Sequence, residues 1–130
     1  MANDAIIAVK TQNRYLYARL PHVGDPTCIG RHLIDAVNSR PLALAFLCEE
    51  DPQETSEIAD VLKADWNAAA GYTYLFENNR WWRIEYDGDY IGTDGTLRET
   101  SRQLLADLVA SREASQPRRL PLLQRQIVLD

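Results

Sequence analysis

Hydrophobic side chains follow a strand-like pattern in four short segments of this chain, and these segments predict two β-hairpins. The first hairpin combines residues 5–10 and 15–20, which are rich in β-branched and aromatic side chains and are separated by a polar turn. Because strand side chains alternate between the faces of a sheet, a two-residue turn at its centre places Val9 opposite Leu16.

The second hairpin is the clearest element of the sequence. It combines residues 72–77 and 80–86 on either side of Asn78-Asn79. Asparagine tolerates the positive φ that a tight hairpin turn demands. This register places Phe76 opposite Trp81.

Apolar positions elsewhere recur every three to four residues, which is typical of amphipathic helices. The pair Asp25-Pro26 is a start signal for a helix that extends to Ser39. Residues 41–50 are strongly apolar, and their period does not separate a helix from a strand, although the abundance of Ala and Leu favours a helix. Capping-box patterns begin two further helices, over residues 51–70 and from 97 to about 113.

These elements predict a single α+β domain over residues 1–130, with the order ββ-ααα-ββ-α. The simplest architecture is one antiparallel sheet built from the two β-hairpins, with the helices packed on one face. Residues 115–130 are expected to form a last strand or a tail that docks on the body of the domain.

Composition agrees with an ordinary globular domain that builds its own core. Apolar residues make up 45% of the 130 residues and charged residues 25%. The longest apolar run, residues 42–48, is far shorter than the roughly 20 residues that cross a bilayer. No signal peptide is recognisable, so we expect a cytoplasmic protein with no membrane partner. The two cysteines, Cys28 and Cys48, are expected to be buried free thiols.

The net charge of −5 is concentrated in one segment. Residues 49–65 contain seven acids and one base, which leaves the rest of the chain close to neutral. This balance argues against direct nucleic-acid binding, which needs clustered Lys and Arg. Four acids are expected on one face of the third helix, where they would dock a basic partner surface or simply be solvated: Glu50, Glu54, Glu57 and Asp60.

A second candidate site surrounds the start of the first helix. It contains His22, Asp25, Arg31 and His32, and helix N-termini attract anions through free N–H groups and the helix dipole. One interpretation is an anion pocket or a His/Asp acid–base pair. The other is a capped helix with two solvated histidines.

The aromatic face of the second hairpin is a third candidate. Tyr74, Trp81 and Arg83 form a patch of the kind enriched at protein interfaces. The alternative is that helices cover this face and Arg83 stacks on Tyr74.

Neither a metal site nor a cofactor site is expected. The acids Asp87, Asp89 and Asp94 suggest a calcium loop, but its twelfth position would be Arg98 instead of an acid. No nucleophile-elbow pattern surrounds any serine, so no catalytic residue is assigned.

Two stretches, YLYARLPHVGDPTCIGRHL and GYTYLFENNRWW, together resemble a group of small bacteriophage proteins that usually open with Met-Gly-Thr-Arg-Ser. The first resembles their strand, His-containing loop and Gly-x-x-Leu helix start, and the second their Tyr-x-Tyr-Leu-Phe hairpin. This chain instead opens MANDAIIAV, and its loop has Gly-Asp-Pro where the group has Asp-Gly-aromatic-Pro. The resemblance implies a phage or prophage origin and no particular activity.

We therefore expect a phage-type accessory protein that binds a host protein, in one instance an inhibitor of a bacterial defence system such as CRISPR. The alternative is a small anion- or nucleotide-binding protein or enzyme that uses the loop at residues 22–32. A third interpretation is a self-assembling phage component, which would form a homo-oligomer.

Overall fold

A computed structural model describes residues 4–88 and 97–115, and these form an α+β fold with six strands in one mixed sheet and four α-helices. The strands are β1 (Asp4–Thr11), β2 (Arg14–Leu20), β3 (Gln53–Thr55), β4 (Gly71–Glu77), β5 (Arg80–Asp87) and β6 (Arg98–Leu104). The helices are α1 (Arg31–Ala36), which follows a π-helical turn at Pro26–Gly30, then α2 (Arg40–Cys48), α3 (Ile58–Ala68) and α4 (Leu105–Ala114).

Both predicted hairpins are present with the predicted register. Strands β1 and β2 place Val9 opposite Leu16, and β4 and β5 place Phe76 opposite Trp81. The two asparagines of the second turn have φ values of 57° and 63°. The conformation of these asparagines fits the tight turn that sets the register of the second hairpin.

The sheet is mixed, however, and the prediction of an antiparallel sheet was wrong. Its strand order is β3-β2-β1-β4-β5-β6, and the central strands β1 and β4 are parallel. The long connection through α1, α2, β3 and α3 allows this, because a parallel pair needs a crossover that returns the chain to the same end of the sheet. The uninterrupted apolar run of β1 fits its central place, where both faces are buried.

The prediction that helices cover only one face was also wrong. Helices α1, α2 and α4 cover the face that carries Ile7 and Tyr74. Helix α3 covers the other face, which carries Ile6 and Leu75. Since alternate residues of β1 point to opposite faces and all are apolar, either face exposed to water would have been unfavourable.

Two predicted helix starts are strands in the structure. Residues Gln53–Thr55 pair with β2 and residues Arg98–Leu104 pair with β5, so that α3 begins only at Ile58 and α4 at Leu105. Each capping-box pattern lies beside a strand that lacks a neighbour, and backbone pairing with that strand outweighs the local helix signal.

The apolar segment after Pro41 is the helix α2, as predicted, and Ser39 caps its N-terminus. Both cysteines are free but exposed, in contrast to the prediction that they are buried. Helix α2 buries Ala43 and Leu47, and this turns Cys48 outward. The predicted terminal strand or tail lies outside the described residues beyond Ser115, as do two acids of the suggested calcium loop.

Candidate functional site

A groove of about 510 Å³ opens between β2, the segment that leads into β3, and α3. We call it the acidic groove and define it by its six charged side chains: Arg19, Glu50, Asp51, Glu54, Asp60 and Lys63. Four of these are carboxylates, and they come from three places in the chain: the segment after α2, strand β3 and helix α3.

The groove exists because β3 is too short to cover β2. Its three residues pair only with Tyr15 to Tyr17, so no described strand lies against the outer edge of β2 from Ala18 onward. Two adjacent residues end the pairing: Asp51 has a left-handed φ of 56°, which turns the chain away, and Pro52 has no N–H to donate. The sheet edge and α3 are therefore separated by an open cleft.

Hydrogen bonds between β3 and its neighbours hold the walls of the acidic groove in place. The hydroxyl of Tyr17 donates to Oε1 of Gln53 at 3.1 Å. The Thr55 hydroxyl donates to Oδ2 of Asp60 and accepts the backbone N–H of Glu57 at 3.3 Å. These contacts join β2, β3 and the first turn of α3, so the groove is formed before any ligand binds.

The cation on the β2 side of the groove is already neutralised. The guanidinium of Arg19 contacts the buried carboxylate of Asp4, with Nε to Oδ2 at 3.0 Å. The backbone N–H of His22 donates to the other oxygen of Asp4 at 2.9 Å. The hydrogen bond from the His22 N–H is the main cause, and that from the Arg19 guanidinium the second cause, of a pKa of the Asp4 carboxyl below its usual range.

The charge left in the groove is negative. Glu54 forms an ion pair with Arg14, whereas Glu50 and Asp51 are exposed and form no ion pair with a described residue. Lys63 is the other cation of the groove. Three carboxylates without an ion-pair partner among the described residues, those of Glu50, Asp51 and Asp60, therefore outnumber the single such cation, Lys63.

Three of the four predicted acidic site residues line the groove, although not in the predicted manner. Glu50, Glu54 and Asp60 were expected on one helix face, but Glu50 precedes β3 and Glu54 lies on it. Glu57 is exposed at the start of α3 and is not part of the groove lining. Asp51, which the sequence analysis did not select, is part of it.

Tyr74 and Trp81 are core residues, which corrects their assignment to a partner surface. Tyr74 is 0% and Trp81 4% exposed. The Tyr74 hydroxyl donates to the carbonyl of Gly24 at 2.7 Å, and the Trp81 indole N–H donates to the carbonyl of Val37 at 2.7 Å. Burial raises the pKa of Tyr74 well above its usual range. Helices cover this face of the hairpin because both of its faces are apolar.

Arg83 stacks on a tyrosine, but on Tyr72 instead of Tyr74. Its guanidinium carbon lies 5.1 Å from the centroid of the Tyr72 ring, and its buried Nε has no hydrogen-bond partner among the described residues. The contact accounts for the position of this cation on a largely apolar face.

The predicted loop site does not converge on one point. The carboxylate of Asp25 caps the π-helical turn by accepting the backbone N–H of Thr27 at 2.9 Å, and this bond is the main cause of the lowered pKa of Asp25. His22 and His32 are exposed, and the His32 ring lies 5.9 Å from the ring of Phe46.

Arg31 is also engaged in structure. Its guanidinium contacts Glu113 of α4 and, at 3.4 Å, Asp35 one helical turn further on. The contact with Glu113 is the main cause of the raised pKa of Arg31. These contacts join the start of α1 to α4.

One buried acid was not selected by the sequence analysis, which counted it only in the net charge of residues 49–65. Asp65 is 0% exposed and accepts the backbone N–H of Gly71 at 2.9 Å together with the hydroxyl of Thr73. It joins the end of α3 to the start of β4. The sequence feature that indicates its burial is its position on the helix. Asp65 follows Val61 by four residues and therefore lies on the apolar stripe.

Within residues 4–88 and 97–115, no group of three or more His, Cys, Asp or Glu side chains could hold a metal ion. No helix in the same residues is long and apolar enough to cross a membrane. Comparison with known proteins finds no matching family model, no similar curated protein and no similar solved structure.

Proposed function

We propose that this chain is a binding protein that docks a basic region of another protein on its acidic groove. The observation that carries the proposal is the convergence of four carboxylates, from three separate elements, on one preformed groove. The acids concentrated in residues 49–65 would serve this binding function. Charge complementarity raises the rate of association with a basic partner and disfavours acidic partners.

The character of the groove supports a protein ligand over a small molecule. Its volume of about 510 Å³ lies within the range of small-molecule pockets, but those are mostly lined by apolar and aromatic side chains. This groove is open at a sheet edge, and its walls carry charged side chains. Such walls suit the lysine- or arginine-rich regions of a protein.

The resemblance to small phage proteins suggests where the partner belongs. An accessory protein made by a phage would act in the host cytoplasm on a host protein. Host proteins that bind nucleic acid have basic surfaces, and an acidic protein can compete for them. A defence complex such as CRISPR is one host target that binds nucleic acid. The specific function that we propose is inhibition of such a complex.

A pull-down of the tagged protein from host lysate tests the proposal. The groove variant carries Glu50→Lys and Asp51→Lys, and the matched control carries Glu49→Lys and Glu57→Lys. Both variants reverse two exposed charges of the same segment, but only the first pair lines the groove. We expect wild type and the control to retain a stoichiometric partner that the groove variant loses.

Two results would contradict the proposal. Absence of any partner with the wild-type protein would remove the basis for a binding function. Equal loss of the partner in the two variants would show that general acidity, and not the groove, carries the interaction. The alternative of an anion site at residues 22–32 has less support, because Asp25 and Arg31 are already engaged in contacts that hold the fold.

A further inference from the structure

We propose that the acidic groove accepts an extended segment of its partner that carries Lys or Arg at alternating positions, and not the surface of a folded domain. This inference rests on the proposed function and specifies the form of the ligand. Three features of the groove support it: its apolar floor, the free backbone of β2, and the placement of its carboxylates.

The floor of the groove suits the stem of a long cationic side chain. Ile6, Ala18 and Ala64 contribute apolar atoms to its lining, and two of these side chains are no larger than a methyl group. Lys and Arg commonly lay their aliphatic stems along apolar surface while the charged head remains at a polar rim. A folded, convex surface would not bring such stems to the floor.

The backbone of β2 offers a place for an extended chain to pair. The turn of the first hairpin closes between Thr11 and Arg14, whose backbone groups point at each other. Backbone direction alternates along a strand, so the N–H and C=O of Tyr15, Tyr17 and Arg19 point away from β1. Strand β3 pairs with the first two, and among the described residues Arg19 has no strand opposite it on that side. Addition of an extended segment to an open sheet edge is a recurring mode of peptide recognition.

The carboxylates flank this free edge. Glu50 and Asp51 lie on the side of the groove next to β3, and Asp60 lies on α3. In an extended chain, every second side chain points to the same face, so neighbouring residues of that face are roughly 7 Å apart. Cations at alternating positions would therefore point together at the floor and the carboxylate rim, whereas residues between them would point to solvent.

Fluorescence anisotropy with labelled peptides tests the inference on the full-length protein. The probe is Lys-Thr-Lys-Thr-Lys-Thr-Lys, and the control peptide, Lys-Lys-Lys-Lys-Thr-Thr-Thr, has the same composition and charge. We expect the alternating peptide to bind several-fold more tightly. We also expect the Glu50→Lys and Asp51→Lys variant to weaken its binding about tenfold or more, since two rim charges are reversed. The Glu49→Lys and Glu57→Lys control should change it by less than about twofold.

The outcomes separate this inference from the proposed function. If the pull-down partner depends on the groove but the alternating peptide does not bind, the ligand is a folded surface and the extended segment is refuted, whereas the binding function stands. If neither binds, both fail. Equal affinity for the two peptides, or equal weakening by the two variants, would indicate unspecific charge attraction and would overturn the inference.

A third peptide, with the sequence of residues 116–130, identifies one competing occupant. This segment carries Arg118, Arg119 and Arg125, and it belongs to the chain itself. If it binds in the groove more tightly than the alternating peptide and displaces it, the natural occupant is the chain's own C-terminal segment, and the assignment of the groove to a partner is wrong.

Discussion

Replacement of the buried Asp65 by alanine should lower the stability of the protein strongly. The carboxylate accepts hydrogen bonds from Gly71 and Thr73, and its removal leaves the fully buried Thr73 hydroxyl without its acceptor. A buried group that loses its partner destabilises a protein by about 1–3 kcal/mol, and bonds to a charged group are at the high end. Because two donors lose this buried acceptor, we expect a loss of about 2–4 kcal/mol.

Urea denaturation followed by circular dichroism measures this loss. A slope of about 1–3 kcal/mol per molar is typical of small domains, so the midpoint should fall by about 1–2 M. Asn67→Ala is the matched control, because it removes an exposed polar side chain of similar size from the same helix and should change stability by about 0.5 kcal/mol or less. A change below about 0.5 kcal/mol for Asp65→Ala would refute the assignment of this acid as the link between α3 and β4.

Two further predictions concern residues whose roles the structure defines. Trp81→Ala should destabilise the fold by about 3–5 kcal/mol in the same urea assay, because the side chain is buried in the core; an unchanged midpoint would contradict this. Asp4 has a lowered pKa in the folded state, so its contribution to stability is present above its unfolded pKa of about 3.9 and is lost as the pH falls through the folded value. Asp4→Asn should therefore lose stability at pH 7 and show a shallower loss than wild type on acidification; parallel pH profiles would argue against the contact with Arg19.

The parts of the fold that could be predicted from sequence are those defined by nearby residues. The second hairpin depends on two asparagines and on side chains within a few positions of them, so its register followed directly. The segments at Gln53 and Arg98 were different, because their strand partners lie far away in the sequence and override a local helix signal. The spacing of apolar residues describes one helix or strand at a time. It contains no information about which strand of the sheet has an edge free for pairing.

The candidate site shows the same limit. The concentration of acids was visible in the sequence, but the groove depends on where β3 begins, and that is set by the conformation of Asp51 and by Pro52. The aromatic hairpin face was ambiguous for another reason. Both of its faces are apolar, and only the packing of α1, α2 and α4 decides that Tyr74 and Trp81 belong to the core.

The parallel pair at the centre of the sheet has a consequence for how the protein is made. Asp4 pairs with Gly71, 67 residues later, so β1 has no neighbour on that side until β4 leaves the ribosome. At about 5–20 residues per second, a strand with five consecutive apolar residues waits with an open edge for roughly 3–13 s. A nascent chain or a proteolytic fragment that ends before β4 would expose this edge to other chains, which makes the first half of the protein a natural substrate for chaperones.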